Sequence, residues 1–303
     1  MNLLNKIWLL GAIALVLISC TDNDVINPEI PQGKVPIRLS SSVSLLRSGS
    51  QNQQIVSGQE LGFHLNITNE AEFNIDNEKL TANGTGGFSH VPMYYPTEGS
   101  SFEFTVYHPY TASGNAGGYI DFSIATDQTV KSDYLNSDLL FSKKTGITRT
   151  LDAVELSFDH MLSKLSFTIK KGDGADISDL SKIEILDILP SVKMSITDGS
   201  LTAASGTKVN VSAYGVTGGA EGVESLTGSA AIIVPQTIES GSKLLYIYIG
   251  ETKYSYTTTS AIVFEEGMKY DFEIEISATG VTLTSSINNW GDGDSVTGGG
   301  VLE

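Results

Sequence analysis

Apolar and polar residues alternate strictly from Tyr270 to Ile276: Tyr270, Phe272, Ile274 and Ile276 against Asp271, Glu273 and Glu275. A period of two places one set on each face of an extended chain, so this stretch can only be a strand with one wet face. The same signature recurs from end to end. Val35, Ile37 and Leu39 share a phase, Ser41 interrupts it, and Val43 and Leu45 resume it, with Pro36 suggesting an edge position. Leu61–Ile67 alternates around Phe63 and Leu65, and Phe102, Phe104 and Val106 alternate with Glu103 and Thr105. Further strand signals are Tyr119–Ile124, Val154/Leu156/Phe158, Leu165/Phe167/Ile169, Ala231–Val234, Leu244–Ile249, Tyr254–Thr258 and Val281/Leu283/Ile287. Ile183–Leu189 reads as strand or short helix, and Lys131–Phe141 is the one stretch with a helical turn in it. Many short strands separated by Gly, Asn and Pro predict an all-β protein of β-sandwiches. Phe102–Val106 echoes Leu165–Ile169, which argues for two tandem β-sandwich units, 34–155 and 156–303.

The amino terminus reads as an address. Lys6 precedes an apolar run from Ile7 to Ile18, long enough for a secretory signal and too short to span a bilayer. Ser19 then stands directly before Cys20, the only cysteine. A lone thiol makes no internal disulfide. Leu17-Ile18-Ser19-Cys20 resembles a bacterial lipobox, which implies a signal peptide over residues 1–19 and lipidation of Cys20; the other reading is an ordinary cleaved signal with a chance cysteine. Asp22 and Asp24 look like the acidic export signal of surface lipoproteins in Bacteroidetes-type bacteria, which implies the outer membrane, surface-exposed. Residues 20–33, with Pro28, Pro31 and Gly33, read as a flexible tether.

The net charge of −17 repels phosphate backbones, so nucleic acid is not an expected partner. No cofactor, metal or catalytic constellation is expected. His64, His90, His108 and His160 are too scattered in sequence to suggest paired ligands. Asp159, His160 and Ser163 lie in one segment, a spacing that does not imply a triad, and His160 reads as a structural residue. Gly291-Asp292-Gly293-Asp294 lacks the ligand pattern of a calcium loop, and Gly218-Gly219 is followed by no phosphate-binding Lys-Ser/Thr. Trp290, Tyr94-Tyr95 and the Tyr246/Tyr248 pair are the candidate sugar-stacking aromatics, though strand tyrosines are more often packing residues.

Several blocks, taken in order, resemble the fimbrillin family of Bacteroidales. They are the lipobox at Cys20, the early strand ending in Arg47, Gly58–Phe63, and Tyr95-Pro96 followed by Phe102–Tyr110. Ser137–Phe141, Val154–Leu165, Phe264–Tyr270 and Ile287–Trp290 complete the set. The resemblance implies a subunit of surface fimbriae, exported as a lipoprotein precursor, with two transthyretin-like domains. It also implies its partners: other fimbrial subunits joined by strand exchange, and an arginine-specific surface protease that cuts after Arg47. Burial of Val35, Ile37, Leu39, Val43 and Leu45 would be worth roughly 8–15 kcal/mol as an upper figure. An emptied groove would then favour a replacement strand. The glycine-rich end, Asp294–Glu303, is a poor donor, leaving Val281–Ile287 as the donor or a subunit that only accepts. The competing hypothesis is a monomeric surface lipoprotein that binds glycans or host proteins.

Overall fold

The computed structural model describes residues 33–43, 55–70, 72–114 and 117–290. The fold is nearly all β. Its strands run β1 (Leu39–Val43), β2 (Glu60–Ile67), β3 (Ile75–Ala82), β4 (Phe88–Ser89), β5 (Phe102–His108) and β6 (Tyr119–Ser123). One short helix, α1 (Lys131–Asn136), precedes β7 (Leu140–Ile147), β8 (Val154–His160), β9 (Ser163–Lys171), β10 (Leu180–Ile188) and β11 (Ser191–Ser195). Then come β12 (Val209–Ser212), β13 (Ser225–Ile233), β14 (Gln236–Ile238), β15 (Lys243–Ile249), β16 (Thr252–Thr257), β17 (Ile262–Phe264), β18 (Met268–Ser277) and β19 (Gly280–Asn289).

The first half forms a seven-stranded sheet in the order β1-β8-β7-β5-β2-β3-β4. β1 pairs parallel with β8, Leu39 opposite Val154 and Val43 opposite Phe158. Its other edge bonds to residues near β4, through bridges Pro36–Tyr94 and Ser40–Gly87. The sheet therefore curls until its ends meet, with the first strand as the closing piece. The second half holds two four-stranded sheets, β13-β9-β18-β19 and β12-β10-β15-β16, with the pairs β14-β17 and β11-β6 beside them. In β18 the alternation predicts the burial: Tyr270, Phe272, Ile274 and Ile276 are all inside.

Buried apolar residues form two clusters. One holds Ile37, Leu39, Leu61, Phe63, Leu65, Phe102, Phe104, Val106, Leu156 and Phe158 among others. The other holds the interior of the second half together with Tyr107, Ile120, Phe122, Ile124, Leu139 and Phe141. β8 runs through the 155/156 cut expected from sequence, and β6 pairs with β11, so the two cores are interlocked. Gln128 ties the segment after β6 to β13: it is fully buried and bonds both main-chain groups of Ile232, Ile232 N–H to Oε1 at 2.9 Å and Nε2–H to Ile232 O at 2.7 Å.

Two expectations change and an open one is decided. β2 is not half-wet: His64 is fully buried on the face opposite Phe63, and a Cβ at Gly62 would fall into the Tyr107 ring. Ile183–Leu189 resolves as strand, within β10 and the residue after it. β19 keeps only Leu283 fully inside, and Ile287 stays 54% exposed.

Candidate functional site

The candidate site is the slot that holds the first strand. Ile37 and Leu39 enter the first core and Val35 packs at its margin, while Lys34 and Arg38 point to solvent. The strand is bonded along both edges. On one side Val154 N–H donates to Arg38 O at 2.8 Å. On the other, Ile37 N–H donates to Met93 O (2.9 Å), Tyr95 N–H to Val35 O (3.0 Å) and Ser41 N–H to Gly86 O (2.7 Å). Lys34 lies over the Tyr94 ring, 5.4 Å from its centre.

Buried Met93, Tyr95, Val154, Leu156 and Phe158 line the slot and belong to the same cluster as Ile37 and Leu39. Tyr95 stacks near Phe104 and Phe102. Its hydroxyl is buried with no hydrogen-bond partner, and burial pushes its pKa up. The slot therefore recognises shape and main chain: two apolar pockets at alternate positions, and a ladder that any extended segment satisfies.

Cys20 and Arg47 lie outside the described residues, as does the Gly291-Asp292-Gly293-Asp294 segment. The remaining arginines are placed. Arg38 sits in the paired run, and Arg149 donates from Nε and Nη2 to Pro96 O (2.9 and 2.7 Å) and from Nη2 to Glu98 O (2.9 Å). The Asp159/His160/Ser163 segment forms no triad. His160 Nδ1 lies 2.8 Å from Asp138 Oδ1, its ring stacks on Trp290 at 4.0 Å, and Ser163 Oγ donates to Glu265 O. Trp290 is thereby 8% exposed and presents no open platform. Tyr246 and Tyr248 meet edge to face on the outside of β15; Lys253 covers Tyr246 at 4.2 Å, and the hydrogen bond to Glu184 pushes Tyr248 up to about 12. Among the described residues no three His, Cys, Asp or Glu side chains are grouped to hold a metal.

Residues 52–290 match the fimbrillin-like family. The chain belongs to that family. It is 25% identical over 306 residues to a Bacteroides uniformis protein assigned as fimbrium subunit Fim1C, covering 94% of each. Two crystal structures of proteins assigned to cell adhesion share the fold. One, from Bacteroides ovatus, aligns with TM-score 0.71 at 19% identity, over 87% of this chain and all of that one. The other, from Bacteroides uniformis, gives 0.67 at 21%, over 86% of this chain and all of that one. A fimbrial protein from Bacteroides vulgatus aligns at 0.54 and 13%, over 84% of this chain and 99% of its own. Within this fimbrillin-like chain the family match takes in the slot walls, 86–95 and 154–158, and begins after the strand that fills it.

Proposed function

We propose that this fimbrillin-like protein is a structural subunit of a bacterial surface fimbria, assembled by replacement of its first strand. The chain reaches the outer membrane as a lipoprotein acylated on Cys20. An arginine-specific protease cuts after Arg47, residues up to Arg47 leave, and an extended segment of another subunit enters the vacated slot. The two cores act as one interlocked body whose first half accepts that segment.

One observation carries the reading. The first strand closes its sheet through main-chain bonds on both edges and only two fully buried apolar side chains. Such a strand is suited to replacement, because another extended segment can reproduce the ladder and fill the two pockets. The arginines support the cleavage point: Arg149 spends its guanidinium on carbonyls, and Arg38 is locked in the ladder, which leaves Arg47.

Purified full-length protein is expected to remain monomeric until trypsin-like cleavage, and the new amino terminus is expected at Ser48. Light scattering should then report oligomers, and Arg47→Ala should abolish both steps. A cleaved protein that stays monomeric at high concentration would overturn strand replacement, and an amino terminus at Cys20 on recovered fimbriae would overturn strand removal.

A further inference from the structure

A cleft of about 680 Å³ opens where the two cores meet, with Gly58, Gln59, Pro109, Phe122 and Leu135 in its lining. Beneath that lining lies His108, at the end of β5 and with no solvent exposure. Its neighbours dictate its protonation. Val56 N–H donates to Gln59 Oε1 at 2.8 Å, which fixes the amide the other way round, with its NH2 turned to His108 Nε2 at 3.0 Å. Nε2 must therefore accept, so the ring proton sits on Nδ1 and goes to Glu60 O at 2.8 Å. Every group is satisfied while the ring is neutral.

A second proton breaks the arrangement. Nε2–H and the Gln59 amide would be two donors facing each other in a dry site. Turning the amide over would set its NH2 against Val56 N–H instead. The imidazolium is left with Leu135 O, 3.4 Å from Nε2. The surrounding charges do not prevent this. Asp138, from the turn after α1, is held by His160 at 2.8 Å, and the Glu60 carboxylate by Lys79 at 2.9 Å, with Lys79 also over the Tyr110 ring. Burial holds the His108 pKa below its ordinary value, against the bonds to Glu60 and Leu135 and the charge of Asp138.

We propose that His108 is a proton-operated lock: neutral, it clamps Gln59 and the entry to β2; protonated, it loosens residues 55–59 at the rim of the cleft, leaving them on the Gly58 and Gln59 main-chain bonds to Ala82 and the buried Ile55. The lock rests on the His108–Gln59–Val56 geometry and stands independently of strand replacement.

Hydrogen exchange of the full chain, read on peptides spanning residues 55–60, tests it. Wild type should lose about tenfold in protection between about pH 7.5 and pH 5, after correction for intrinsic rates. Gln59→Glu should hold protection across that range, because a carboxylate accepts from both Val56 N–H and the imidazolium. His108→Gln, which cannot take the proton, should show no step. Nitrogen chemical shifts of wild type at neutral pH should place the ring proton on Nδ1. Unchanged protection of wild type at acid pH, an equal loss in Gln59→Glu, or a ring proton on Nε2 would each overturn the lock.

Discussion

A single buried amide fixes the segment after β6 against β13. Gln128 imitates a strand neighbour for Ile232, and its removal leaves a buried N–H and a buried C=O without partners. Each such orphan costs about 1–3 kcal/mol. Gln128→Ala should therefore lower unfolding free energy by roughly 2–6 kcal/mol, read from the urea midpoint. His64 gives a pH dependence of known sign. Its Nδ1 lies 3.0 Å from Asp76 Oδ1 and 3.1 Å from Asn77 N, while Nε2 has no partner. Burial lowers its pKa, more than Asp76 raises it. The unfolded chain thus binds the proton first. The neutral ring's contribution is complete above the unfolded pKa, about 6.5, and is lost as pH falls through it towards the lowered folded value. Melting temperature should fall over that range, and His64→Gln should flatten the slope. A slope unchanged by the substitution would assign the effect to other groups; His108 has the same sign and is tested separately above.

At the scale of elements the first strand is the informative one. Its alternation assigns Ile37 and Leu39 to the core and Arg38 to solvent, and the structure agrees residue by residue. Replacing either buried residue by alanine removes packed methylenes at about 2–5 kcal/mol. Ile37→Ala and Leu39→Ala should each lower the melting temperature measurably, while Arg38→Ser should leave it within error. Equal effects from all three would mean that the strand adheres through its backbone alone. What the alternation does not encode is the slot. Residues 86–95 show no sustained alternation, since they meet the first strand through a few main-chain hydrogen bonds and single bridges and bury only Met93 and Tyr95. β3 escaped notice because it buries only Leu80 and Ala82, so Ile75-Asp76-Asn77-Glu78-Lys79 reads as loop. β14 and β17 are too short to show a period, and β2 misleads because its second face is covered by Tyr107 and Phe73 against His64.

For the whole molecule the decisive fact is that the first half lends residues to the second core. Ile120, Phe122, Ile124, Leu139 and Phe141 are buried among side chains from β9 to β19. Each is worth roughly 1.5–3 kcal/mol when removed from water. Together they rival the net stability of an ordinary domain, about 5–15 kcal/mol. A fragment of residues 156–290 would lack all five, and would leave Ile232 without Gln128. It should show poor amide dispersion and no cooperative melting, whereas residues 33–290 should unfold in one transition followed alike by tyrosine fluorescence and circular dichroism. A fragment that melts as sharply and as high as the longer chain would mean that the second core stands alone, and that the borrowed residues only cap it. β1 pairs with β8 and β8 with β7, and β7 carries Phe141 into the second core, so the first strand is two strands removed from that core's side chains.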